Sequence, residues 1–164
     1  MTSKKYLFFA FLITTFPAHA AIMELPVPQD VLEFVEKRTS VNLPADQEIQ
    51  VVDNDNAIFK SAAAQHEGAS AAEMAGVIYL PVRSAVHFQE PQIQALVVHE
   101  LTHVAQEKSG HKYACVGEKE AEAYENQIAY LKNQGQFTYR PSHEEIEAMK
   151  KCEVPAYFQD TPKS

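Results

Sequence analysis

His99 and His103 stand four positions apart, with Glu100 directly after the first, in the run His99-Glu100-Leu101-Thr102-His103. On a helix of 3.6 residues per turn, positions i and i+4 lie one above the other on a single face. Two imidazoles placed in that way can hold one Zn²⁺ at about 2.0–2.1 Å each. Glu100 is turned one residue round the helix, where its carboxylate suits a water on the metal better than the metal itself. Zinc brings the pKa of such a water towards neutrality. A carboxylate can then take its proton as it attacks a carbonyl, and hand that proton to a leaving amine. The pattern therefore predicts zinc-dependent hydrolysis of a peptide or related amide bond, with Glu100 as general base.

A catalytic zinc keeps three protein ligands and one open position. The next histidine, His111, lies eight residues past His103, and nothing in its spacing aims it at the metal. A carboxylate is the better third ligand, and the next helical segment offers Glu118, Glu120, Glu122 and Glu125. Tyr124, Ile128 and Leu131 mark the buried stripe expected of that segment, and Glu120 lies one turn before Tyr124. Glu122 and Glu125 fall towards solvent, and Glu118 lies near the start. Glu120 is the expected ligand, with Glu122 as the alternative. For stabilising an oxyanion the candidates are His111, Tyr113, Tyr139 and His143, none singled out by its spacing. His66 and His87 read as loop residues.

The run His99 to Gln106, followed by Glu120-Ala121-Glu122-Ala123-Tyr124, resembles the gluzincin branch of zinc metallopeptidases. Those enzymes join a His-Glu-x-x-His helix to a later helix carrying Glu-x-x-Ala. Glu120 to Ala123 fits that pattern, whereas Glu122 is followed three residues on by Glu125. The likeness covers about residues 75–130 and is greatest to small exported bacterial members. It implies a zincin-like domain with His99, His103 and Glu120 on zinc and Glu100 as base. It also implies that the strand over 75–82 is a sheet edge along which an extended substrate pairs. Tyr124 stands where several relatives have an Asp supporting a ligand histidine, so a phenol would have to fill that role.

The elements that must position these residues follow from periodicity. Asp30 starts a helix with Val31, Phe34 and Val35 on one side, ending near Thr39. Ile49, Val51 and Val52 predict a short strand that stops at the turn cluster Asp53-Asn54-Asp55-Asn56. The stretch 57–64 is expected to return as a strand, 66–72 to be a polar loop, and 75–82 to be the best strand. Pro91 suits a first helical position. Ile93, Leu96, Val97, Leu101 and Val104 make an apolar stripe, and Gly110 ends that helix. A second long helix spans 117–133, and a short acidic one spans 142–151, opened by a Ser142/Glu145 capping box. The fold class is α+β, with a short mixed or antiparallel sheet packed on the His-Glu-x-x-His helix and the second long helix.

Residues 1–20 read as a signal peptide: Lys4 and Lys5, an uncharged apolar run from Tyr6 to Phe16, then Ala18-His19-Ala20. Residues 21–164 form one domain's length of chain. The whole chain has 14 Lys+Arg and 22 Asp+Glu, and the leader holds two lysines and no acid, so its removal takes the net charge from −8 to −10. That charge argues against nucleic acid or an anionic membrane as partner; the partner expected is a peptide or protein substrate. No further apolar stretch of spanning length follows, so no stable membrane anchor is expected after cleavage. Cys115 and Cys152 are expected to pair in an oxidising, periplasmic or extracellular compartment. A function of a different class, an exported zinc-binding or interaction domain without turnover, stands as the alternative. The intact Glu100 opposes it, because a structural zinc site closes with a fourth protein ligand and needs no base.

Overall fold

The computed structural model describes residues 23–62, 70–137 and 141–153. The long central helix, α4 (Pro91–Ser109), is the most buried element, with every residue from Val97 to Gln106 inside the protein. Pro91 occupies its first turn, and Gly110 ends it in the left-handed region at φ 65°, a conformation that costs glycine little. Around it, in chain order, lie β1 (Met23–Pro26), α1 (Gln29–Thr39), β2 (Glu48–Val52), α2 (Ala57–Ala62), β3 (Ala72–Met74), β4 (Val77–Pro81), α3 (Val82–Ala85), α5 (Val116–Asn133) and α6 (His143–Lys150). The architecture is α+β.

The four strands form one mixed sheet in the order β1-β2-β4-β3. β2 runs parallel to β4 and antiparallel to β1, and β3 pairs antiparallel with β4. Ile49, Ile78 and Leu80 from the sheet, Val31, Leu32 and Val35 from α1, and Val97, Val98, Leu101 and Val104 from α4 make the main core. Because α5 covers a further side of α4, the helix carries no single apolar stripe. Val98 and Ala105 are fully buried while Ile93 and Leu96 are only partly so.

Several sequence expectations are corrected here. Residues 57–62 form a helix rather than a return strand, because the Asn56 side chain accepts the N–H groups of Ile58 and Phe59 at 2.9 and 3.1 Å and caps it. The expected loop over 66–72 ends in β3, a strand of three residues that is too short to show a period. The strand expected over 75–82 starts at Val77, since Ala75 (φ 54°) and Gly76 (φ 80°) form the two-residue hairpin turn from β3. Consequently β4 is an interior strand and not an edge; β3 takes the edge position on that side. The opening segment with Pro26 is itself a strand, β1, at the other edge, where a proline is tolerated.

On α5, Tyr130 and Leu131 reach the main core, while Tyr124 and Ile128 pack with Ala121 against Ile146 and Met149 of α6. Ser142 caps α6 in the expected box with Glu145. Cys115 and Cys152 form a disulfide, with Cα atoms 5.8 Å apart, that ties the residue before α5 to the residues after α6. Among the described residues no helix is long and apolar enough to cross a membrane. The expected leader lies outside the described residues.

Candidate metal centre

α4 brings His99 and His103 to one face, and α5 lays Glu120 against them. His103 Nε2 is 3.2 Å from His99 Nε2. Glu120 closes the triangle, Oε2 at 3.3 Å from His99 Nε2 and Oε1 at 3.4 Å from His103 Nε2. All three residues are buried, 8, 9 and 8 % exposed respectively. The two histidines are met by different oxygens of the one carboxylate, and one donor atom from each residue lies within 4.8 Å of the other two, close to the separation of about 3.3–3.4 Å that a tetrahedral ion with ligands at about 2.0–2.1 Å sets between its donors.

The far side of each ring fixes which nitrogen faces the triangle. His103 Nδ1 is 2.8 Å from Gln106 Oε1. The Gln106 amide nitrogen donates to the Lys119 carbonyl and to Glu122 Oε2, both at 2.9 Å. Neither of those groups can donate in return, so the amide oxygen is what faces the imidazole. Nδ1 of His103 must then carry the proton, which leaves Nε2 as a lone pair in the neutral ring. His99 Nδ1 lies 3.2 Å from Gln127 Oε1. Tyr124 packs edge-on to the His99 ring, centroids 4.5 Å apart. That is the position the resemblance reserves for a supporting group, and here it makes a ring contact.

Two imidazole nitrogens and both oxygens of one carboxylate thus crowd together out of water, and Glu120 Oε2 has no hydrogen-bond partner among the described residues. A buried anionic oxygen without a partner is costly. The His99, His103 and Glu120 group can hold a metal ion, and a cation at its centre satisfies all three donors. A proton is the other possible occupant. Burial disfavours a charged His103, but the hydrogen bond and charge of Glu120, with help from Glu100 and Gln106, outweigh it and raise its pKa to about 9. Burial likewise opposes ionisation of Glu120, yet the two histidines hold its carboxyl well below the usual carboxylate range.

Glu100 is buried on α4 at 9 % exposure, and its charge is felt both by His103 and by Glu73 of β3. Glu73 accepts the Gly76 N–H at 2.6 Å. Burial, with the nearby Glu107 and Glu100 charges, raises the Glu73 pKa. The edge strand therefore runs alongside the face of α4 that carries Glu100.

The other acids have different partners. Glu122 accepts from Gln106 and from the Tyr113 hydroxyl, the latter at 2.6 Å, and stands outside the triangle. Glu118 accepts the Ala114 N–H, and Glu125 pairs with Lys150 at 2.7 Å. His111 packs its ring on Tyr113, His143 begins α6, and His87 pairs with Glu90 on the surface. His66 and Tyr139 lie outside the described residues.

Away from the triangle, Asn126 of α5 donates to Thr102 at 3.2 Å and accepts from Arg38 of α1. This buried bracket holds α5 against α4 at the level of the ligands. Gln106 and Gln127 are the contributors that the sequence reading missed. Their signal was present as helix spacing, Gln106 three residues after His103 and Gln127 two turns after Glu120. No family model, curated protein or solved structure matches the chain.

Proposed function

We propose that this chain is an exported zinc metallohydrolase acting on peptide or related amide bonds, with His99, His103 and Glu120 as zinc ligands and Glu100 as general base. The observation that carries the reading is the buried triangle of two imidazole nitrogens and one carboxylate, each residue offering a donor atom within 4.8 Å of the other two, near enough to share one ion. A bound zinc would supply Lewis acidity, polarising a substrate carbonyl and making water acidic near neutral pH. Gln106 and Gln127 keep the ligand rings aimed, and Glu120 is held ionised. Glu100 would accept the proton of the attacking water on its carboxylate and deliver it to the departing amine nitrogen. The edge strand β3 lies beside α4 and offers a backbone edge for an extended peptide to pair with. The apolar leader and the Cys115–Cys152 disulfide support export.

A second reading, an exported zinc-binding domain without turnover, draws support from Tyr113. Its hydroxyl donates to Glu122 instead of standing ready for an oxyanion. Metal analysis of the purified chain, followed by a peptide-library comparison of wild type and Glu100→Gln, separates the readings. Cleavage by wild type alone, with zinc in both, supports the hydrolase. Equal product from both proteins would discard it.

A further inference from the structure

The Gln106 carboxamide makes three hydrogen bonds and is 3 % exposed. Its two N–H groups go to groups that only accept, one of them a helix carbonyl and the other the Glu122 carboxylate. Such an amide has one orientation available, with its oxygen on His103 Nδ1. Glu122 is itself tied down by the Tyr113 hydroxyl. The geometry points to Gln106 as the positioning residue that selects the metal-binding tautomer of His103, with Glu122 and Tyr113 as the anchor that orients the amide.

The inference rests on the zinc-ligand reading of His103 and adds to it. An outer partner of a metal-bound histidine fixes both the tautomer and the ring's direction, and its loss costs about 10–100-fold in metal affinity. A neutral carboxamide could turn over and offer a donor in place of an acceptor. That flip would put two donors face to face at 2.8 Å, and it is blocked by the two acceptors that hold the amide nitrogen, the Lys119 carbonyl and the Glu122 carboxylate. The carboxylate that looked like an alternative ligand therefore acts one layer further out. It controls the orientation of Gln106 and, through Gln106, the direction of the His103 lone pair.

The test uses the full purified chain and Zn²⁺ in competition with a chromogenic chelator. It compares wild type, Gln106→Leu, His103→Ala and the exchanged pair Gln106→Glu/Glu122→Gln. In the pair, a carboxylate at 106 accepts from His103 Nδ1 and from the new amide at 122, and that amide's oxygen accepts from Tyr113, while the Lys119 carbonyl loses the N–H it accepts in wild type. Gln106→Leu should weaken Zn²⁺ binding by about 10–100-fold, and the exchanged pair should recover part of that loss, the bond to the Lys119 carbonyl staying broken. In zinc-loaded wild type, ¹⁵N-edited spectra should show a slowly exchanging His103 Nδ1–H, absent in Gln106→Leu and restored in the pair. A packing role alone predicts no recovery by the exchange. If Gln106→Leu leaves both affinity and the Nδ1–H signal unchanged, or if the zinc-loaded pair lacks that signal, the inference is overturned. If Gln106→Leu does not fold, the pair decides alone: a slowly exchanging His103 Nδ1–H in the zinc-loaded pair supports it, and absence of that signal overturns it. Wild type that binds no better than His103→Ala would instead remove the zinc site, a result distinct from failure of the Gln106 role.

Discussion

Glu120 Oε2 lies 3.3 Å from His99 Nε2 while lacking any hydrogen-bond partner among the described residues. An oxygen in that state is satisfied by a cation or by a proton on a neighbouring ring, and which of them is present sets how the site behaves.

Replacing the carboxylate tests the ligand assignment. Glu120→Ala removes one corner of the triangle, whereas Glu122→Ala removes an anchor of Gln106. Zinc retention in a chelator competition should fall beyond about 100-fold for the first and stay within about 10–100-fold for the second. The reverse order would move the site to Glu122.

Glu100 separates binding from chemistry. Glu100→Gln keeps the shape of a side chain that is not in the triangle, so zinc content should remain that of wild type. Turnover on any cleaved peptide should drop about 10²–10⁴-fold. Loss of zinc together with activity would make Glu100 part of the binding set.

The metal-free protein should show a pH dependence of known sign. His103 has a folded pKa of about 9 against an ordinary 6.5. Between those values the native state holds more protons than the unfolded chain, so stability falls as pH rises. The contribution of His103 is complete below pH 6.5 and lost through about pH 9. Glu120 is shifted downwards from 4.5, so its contribution is complete above that value and lost as the solution becomes more acidic. Urea midpoints of the chelator-treated chain should therefore be higher at pH 6 than at pH 9, by a few kcal/mol in stability. Zinc must displace the His103 proton, so zinc should bind more tightly as pH rises over the same range. A metal-free midpoint that climbs towards pH 9 would contradict the Glu120–His103 pairing.

The disulfide spans 37 positions, a loop whose closure is worth about 4 kcal/mol in the chain-entropy model. Cys115→Ser with Cys152→Ser should lose stability of that order. Cys152 also sits at φ 59°, a region that glycine occupies more cheaply than other residues by about 1 kcal/mol. Cys115→Ser with Cys152→Gly should accordingly melt above the double serine variant, a comparison that thermal unfolding decides.

At the α5–α6 contact, a β-carbon on Gly117 would lie 2.9 Å from the Met149 carbonyl oxygen. Both groups belong to the backbone and cannot rotate away. Gly117→Ala should cost about 1–3 kcal/mol and loosen α6, with denaturant unfolding as the measure. An unchanged midpoint would mean that the two helices slide apart freely.

Much of this was legible in the chain. The spacing of His99 and His103 on a helix follows from 3.6 residues per turn, and Pro91, Gly110 and the Ser142/Glu145 box marked helix ends by local chemistry that folding left intact. The Cys115–Cys152 pairing needed only a count of two cysteines. Elsewhere local signals were weaker than contacts. Residues 57–62 look apolar enough for a strand, but one Asn56 side chain supplies the cap that starts a helix. β3 is too short to carry a period and exists because β4 lies beside it. Of the stripe expected on α5, Leu131 reaches the main core, Ile128 packs on α6, and Tyr124 touches both α6 and the His99 ring, while polar Glu120, Asn126 and Gln127 also face α4.

By itself the sequence determined which residues could act as ligands and base, because their types and helix spacing are properties of a few consecutive positions. Tertiary structure alone decided that Glu120 completes the triangle while Glu122 turns outwards to hold Gln106. Those carboxylates sit two residues apart, about 200° round one helix, and the face that α5 turns to the two histidines distinguishes them. That face is held by contacts such as those of Asn126 with Thr102 and Arg38, which join residues far apart in sequence and exist only once the core has assembled.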